Sequence, residues 1–144
     1  MSVKQISVFL ENKPGTLSEI TGLLAENGLD IRALSLAETK DFGIARMIMA
    51  DTDAAVQVLQ EAGFLAMANQ VLAYAVPDMP GGLNTLLNCF NQLKINIEYM
   101  YSSLAGGQNG RAYMIFRVSH TQESEAALSG AGLTALTQEE LGSL

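Results

Sequence analysis

The chain has 144 residues, 49% of them hydrophobic and 16% charged, with a net charge of −7. That length supports one ordinary domain or two small ones, and the composition favours a packed core over disorder. The acidity opposes nucleic-acid and anionic-membrane partners, which need clustered Lys and Arg, and it is spread evenly: 5 basic and 9 acidic side chains in residues 1–69, 3 and 6 in residues 70–144. No apolar run approaches the roughly 18 residues of a membrane span. The start lacks an export signal, and the one cysteine, Cys89, has no partner for an internal disulfide, so a cytoplasmic location is expected.

In chain order, Ile6, Val8 and Leu10 alternate with period 2 and predict a strand over 3–10. The stretch "LENKPGTL" leads into a helix over 15–27, with Ile20 and Leu24 on one face. Strands over 30–40 and 43–51, a helix over 53–62 and a strand over 64–68 follow. The pattern then starts again. A shift of 66 residues carries Pro14 onto Pro80, Gly15 onto Gly81, Leu17 onto Leu83, and Ile6, Val8 and Leu10 onto Leu72, Tyr74 and Val76. Beyond a hairpin at 105–110 that holds one extra residue, Gly43, Ala45, Met47 and Ile48 match Gly110, Ala112, Met114 and Ile115. The second set is strands over 70–77, 96–104, 111–118 and 133–137, with helices over 81–94 and 121–131.

Each copy therefore reads β-α-β-β-α-β, the ferredoxin-like arrangement of an antiparallel sheet with both helices on one face. The expected fold class is α+β, two such repeats occupying residues 1–69 and 70–144. A unit of about 70 residues buries little alone, and residues 64–76, "FLAMANQVLAYAV", offer no polar linker, so the copies should pack tightly.

The repeated loops, "LENKPGTL" and "VPDMPGGL", join the first strand of each copy to its first helix. Asn12 and Asp78 are expected to cap those helices with their side-chain oxygens, and Pro14 and Pro80 to occupy the first turn, where no N–H is wasted. The glycines remain unexplained by capping. Gly15 and the pair Gly81 and Gly82 clear side chains from a helix start, leaving backbone N–H groups and the positive dipole end open to a carboxylate. Phosphate is disfavoured, because neither G-x-x-x-x-G-K-[ST] nor G-x-G-x-x-G occurs.

The segments "LENKPGTLSEITGLLAENGLDIRALSL" and "VPDMPGGLNTLLNCFNQLKINIEYMY" each resemble the ACT domain, a regulatory module that senses amino acids. The resemblance covers essentially the whole chain. It implies two domains side by side in one eight-stranded sheet with the helices on one face, and ligand sites at the seam between domains. Carried over by position, it nominates Asn12, Lys13, Pro14, Gly15, Thr16 and Leu17 with Asp78, Met79, Pro80, Gly81, Gly82 and Leu83. The facing residues would be Asp30 and Ile31 with Asn96 and Ile97. Loop amides would take the carboxylate of a free amino acid and Asn12 or Asp78 its ammonium. Tyr99 and Tyr101 either line an apolar or aromatic side-chain slot or pack on a sheet face. The copies differ, with Lys94 in place of Gly28, Met79 of Lys13 and Pro77 of Glu11.

Catalysis is not expected. His120 is the only histidine and reads as a surface helix cap; Cys89 reads as a small buried apolar residue; the methionines read as core; "LTQEEL" reads as a short terminal helix. No metal or other cofactor is implied. Three readings stand: a tandem sensor of a free amino acid acting on a separate enzyme or regulator, a ligand-free interaction subunit of the same fold, or a small enzyme. A homodimer is the expected assembly.

Overall fold

The structure is a computed structural model, and it describes residues 2–104 and 108–143. Residues 105–107 of the expected hairpin lie outside the described residues.

The strands are β1 (Val3–Glu11), β2 (Ile31–Glu38), β3 (Phe42–Met49), β4 (Leu65–Pro77), β5 (Ile97–Ser102) and β6 (Arg111–Val118). The helices are α1 (Thr16–Glu26), α2 (Thr52–Glu61), α3 (Gly82–Gln92), α4 (Thr121–Gly130) and α5 (Gln138–Gly142). Six strands form one antiparallel sheet in the order β2-β3-β1-β4-β6-β5. No helix among the described residues is long and apolar enough to cross a membrane.

The implied eight strands become six for two reasons. The strands expected at 64–68 and 70–77 are one strand, β4, because residues 64–76 carry no turn signal to break it. Its first half pairs with β1, Val71 opposite Val3, and its second half pairs with β6, Leu72 opposite Phe116. The strand expected at 133–137 does not form. One backbone bond, from the Leu136 N–H to the Ala73 carbonyl at 2.7 Å, runs alongside β4. Thr137 instead opens α5 with a capping box to Glu140, and Leu136 and Leu141 turn into the core between repeats.

Side-chain parity along β4 locates the layers. Ala66 faces the core under α1 and α2, built on Ile6, Val8, Leu10, Ile20, Leu24, Met47 and Leu59. Leu72, Tyr74 and Val76 face the core under α3 and α4, with Leu86, Phe90, Phe116 and Leu128. These even-numbered residues share one side of the strand, so both helical layers stand on one face. The odd-numbered Val71 and Ala73 face a third core, with Val3, Ala33, Ile48, Tyr101, Ile115 and Leu141.

That third core closes because the outer strands approach each other on the helix-free side. Ala33 and Ser103 form an isolated antiparallel bridge, and the Leu104 N–H donates to the Arg32 carbonyl at 2.9 Å. The second repeat thereby lies over part of the helix-free face of the first. Gln5 is fully buried there. Its Nε2 donates to the Tyr99 hydroxyl at 2.7 Å, and its Oε1 accepts from the Tyr101 hydroxyl at 2.6 Å.

Candidate functional site

Both Pro-Gly loops enter their helices through a left-handed glycine. Gly15 (φ 91°) and Gly81 (φ 87°) are the N-caps of α1 and α3, and neither supplies a side-chain cap bond. The capping roles expected of Asn12 and Asp78 are not realised, since the loop places them three residues before the cap. Asn12 Nδ2 instead donates to Glu38 Oε2 at 3.2 Å and to the Thr39 carbonyl at 3.4 Å. The Asp78 N–H donates to the Gly110 carbonyl at 2.7 Å. Pro14 and Pro80 stand one residue before the caps, outside the first turn. His120 does sit at the N-cap of α4, but its side chain makes no cap bond.

The two loops are not equivalent. In the second, the Gly82 N–H is taken by the Met79 carbonyl at 3.0 Å. A Cβ on Gly82 would lie 2.0 Å from the Pro77 carbonyl oxygen, so that turn has no room for a side chain. At the aligned position the first repeat carries Thr16, whose backbone N–H has no backbone acceptor among the described residues. Thr16 is 7% exposed, and its buried Oγ1 has no hydrogen-bond partner among the described residues.

A crevice of about 430 Å³ opens at the first loop, lined among others by Lys13, Thr16, Glu11, Glu19, Phe9 and Phe64. It brings together two of the residues named from the sequence, Lys13 and Thr16, and adds two carboxylates and an apolar wall. Lys13 Nζ lies 3.1 Å from Glu11 Oε2, and both side chains are well exposed. Glu19 and Phe64 escaped the sequence reading. The acid in the first turn of α1 was a local signal for Glu19, but the approach of the α2–β4 turn to the loop is tertiary.

The remaining nominated residues fall elsewhere. The second loop, 78–83, follows the far end of β4, which spans 13 residues, so the two loops are separated by roughly 40 Å along that strand. Asp30 and Ile31 stand where β2 begins, at the opposite end of the first repeat from loop 12–17, because β2 runs parallel to β1 across β3. Asp30 pairs with Arg32 at 2.6 Å. Asn96 stands just before β5, and Ile97 opens it beside Val118. Between β5 and β6, Gly110 accepts from the Asp78 N–H of the second loop, and the Leu104 N–H donates to the Arg32 carbonyl of β2.

Tyr99 and Tyr101 pack on a sheet face. Their hydroxyls are engaged by Gln5, and the Arg46 guanidinium carbon lies 3.8 Å from the Tyr99 ring centroid. Burial, then the neighbouring Tyr99, pushes the Tyr101 phenol far above its ordinary range, with Arg46 opposing. Gln5 was missed because the alternation of Ile6, Val8 and Leu10 marks its side of β1 as outward. Among the described residues, no group of three or more His, Cys, Asp or Glu could hold a metal ion.

An ACT domain pair family model matches residues 1–144. Protein BT0572 from Bacteroides thetaiotaomicron is 35% identical over 100% of this chain and 98% of its own, with a TM-score of 0.91. The ligand-free regulatory subunit of aspartate kinase from Thermus thermophilus is 16% identical over 89% of this chain and 91% of its own, TM-score 0.61. Its Thermus flavus counterpart is 17% identical over 90% of each chain, TM-score 0.61. No curated protein matches the chain in sequence. The chain belongs to the ACT domain pair family.

Proposed function

We propose that this chain is a non-catalytic regulatory module that binds a free amino acid through its strand-to-helix loops and signals to a separate enzyme or regulator. Residues 1–69 and 70–144 are its two ACT units. Loops 12–17 and 78–83 remain the binding segments, with the first favoured.

The observation that carries this reading is the crevice at the first loop. It joins an ammonium (Lys13), the unpartnered Thr16 N–H and hydroxyl, two carboxylates (Glu11 and Glu19) and an apolar wall of Phe9 and Phe64. A zwitterion with an apolar side chain matches that set. Its carboxylate meets Lys13 and the helix start, its ammonium meets Glu19, and its side chain lies on the phenyl rings. The likeness to regulatory subunits of aspartate kinase supports a regulatory role but names no amino acid. A second reading, a ligand-free interaction subunit, draws on the exposed Phe9, Phe42, Leu65 and Met67, which share the helix-free side of β1, β3 and β4.

A thermal-shift panel of the twenty amino acids separates the two. At about 100 times its Kd a ligand adds about 2.7 kcal/mol of stability. For a domain of this size that raises Tm by roughly 5–10 °C. Glu19→Gln, at an exposed position, should remove the response and leave the unliganded Tm unchanged. No response to any amino acid at millimolar concentration refutes the sensor and leaves the interaction subunit.

A further inference from the structure

The two repeats differ where the last strand of each would close its sheet. In the first, β4 pairs back onto β1, with Met67 opposite Ser7 and Leu65 opposite Phe9. Shifts of 66 and 69 residues carry those pairs to Ala73 with Leu136 and to Ala75 with Thr134. The first of these pairs exists, as the 2.7 Å bond from the Leu136 N–H to the Ala73 carbonyl. The second does not. No backbone hydrogen bond joins Ala75 to Thr134, and a crevice of about 560 Å³ is lined by residues of both segments.

The groups that face this crevice are unsatisfied. Backbone direction alternates along a strand. Even-numbered residues of β4 turn theirs to β6, as the Asp78 N–H just beyond the strand turns to Gly110, and odd-numbered residues turn theirs away, as the Ala73 carbonyl turns to Leu136. The Ala75 N–H and carbonyl therefore point at the crevice, with no partner among the described residues. Tyr74 lines it at 2% exposure, and its hydroxyl is also unpartnered among the described residues. A charge stands at each end. Arg111 lies opposite Pro77, and Glu140 follows Leu136 into α5; both line the crevice, both are exposed, and neither joins an ion pair among the described residues. Glu140 Oε2 accepts the Thr137 N–H of the capping box, which leaves the other carboxylate oxygen free.

We propose that the crevice binds a free tripeptide, laid along the edge of β4 with its carboxylate on Arg111, its ammonium on Glu140 and its amides on Ala75. Length is the reason for three residues. The stretch of β4 from Ala73 to Pro77 spans roughly 13 Å and three extended residues about 10 Å, which leaves the Arg111 and Glu140 side chains to close the remainder. The carboxylate and ammonium of a single amino acid share one carbon and do not reach both ends. Charge sets the direction. The peptide runs parallel to β4, so its first carbonyl accepts from the Ala75 N–H and its third N–H donates to the Ala75 carbonyl, the slanted bonding of a parallel pair. A peptide carbonyl also meets the Tyr74 hydroxyl, and apolar side chains lie on Val76 and Leu133. This crevice shares no residue with the one at the first loop and takes a different class of ligand. The inference stands whether or not the first crevice binds an amino acid.

Isothermal titration calorimetry and thermal shift on the full chain with the tripeptide Ala-Leu-Ala test it. The peptide should bind with a Kd below about 1 mM, and acetylating its N-terminus or amidating its C-terminus should each weaken binding at least about tenfold. Arg111→Gln should weaken the free peptide by a similar factor and leave the amidated one no weaker than before. Glu140→Gln, which keeps a capping-box side chain, should behave in the same way toward the acetylated one. Tyr74→Phe should weaken binding while the unliganded protein stays at least as stable, an outcome that a merely structural role for the hydroxyl does not produce. No response to Ala-Leu-Ala at millimolar concentration by either method overturns the proposal, and so does an affinity indifferent to Arg111→Gln and Glu140→Gln.

Discussion

The Tyr74 ring stands edge-on to Phe90 at 6.1 Å between centroids, and its hydroxyl is buried with no hydrogen-bond partner among the described residues. A buried hydroxyl that has lost water and gained nothing in return is a cost. Tyr74→Phe keeps the ring contacts and removes that cost, so the variant should be as stable as the wild type or up to about 1 kcal/mol more stable in urea denaturation. Burial also pushes the Tyr74 phenol from its ordinary 10.0 up to about 12. The folded state therefore holds a proton that the unfolded chain releases. Stability is intact below pH 10 and falls as pH rises from there through about 12. Tyr101 acts in the same direction, through a phenol that must stay protonated to donate to Gln5. Denaturation midpoints should hold steady up to about pH 10 and decline above it. Tyr74→Phe should flatten only part of that decline; an unchanged profile would show that the Tyr74 phenol ionises no differently once folded.

At the scale of elements, the turn from β4 into α3 is the tightest junction among the described glycines. Gly81 adopts a left-handed φ of 87° and Gly82 comes within 2.0 Å of Pro77 at its notional Cβ. Gly82→Ala must move backbone, with an expected loss of about 2–4 kcal/mol by urea denaturation, larger than the roughly 1 kcal/mol of an ordinary glycine replacement. A loss below that ordinary figure would mean the turn opens freely. The periodic elements were legible because alternation and 3.6-residue spacing are local. Ile6, Val8 and Leu10 announced β1, and Ile20 and Leu24 announced α1. The junctions were less so. Asn12 looked like a cap by composition, yet one left-handed glycine moves the cap to Gly15 and frees Asn12 to bind Glu38, 26 residues away. Lys94 repeats the point. It holds φ 57° where the first repeat has Gly28 at φ 67°, so the turn geometry survives a change of residue type.

Across the whole molecule the two repeats are held by shared backbone and a shared core. β4 belongs to both, and the core between them joins Val3, Ala33 and Ile48 of one to Ala73, Tyr101 and Ile115 of the other. Neither repeat can unfold without exposing that core, so urea should unfold the chain in a single transition. All four tyrosines, Tyr74, Tyr99, Tyr101 and Tyr113, lie in the second repeat and there is no Trp, so tyrosine fluorescence reports that repeat while circular dichroism reports both. The two curves should coincide; separated midpoints would show repeats that unfold independently.

By itself, the sequence determined the duplication, the order of strands and helices in each copy up to its last strand, the short terminal helix, and the Pro-Gly loops, because periodicity and glycine chemistry act over a few residues. Tertiary structure alone decided that two expected strands run on as β4, that residues 133–137 do not form the last expected strand, and that Gln5 and Arg46 lie against the tyrosines of β5. It also decided which loop opens into a crevice. Those outcomes depend on which surfaces meet across the sheet, and a pattern of near neighbours carries no record of a contact made 94 residues away.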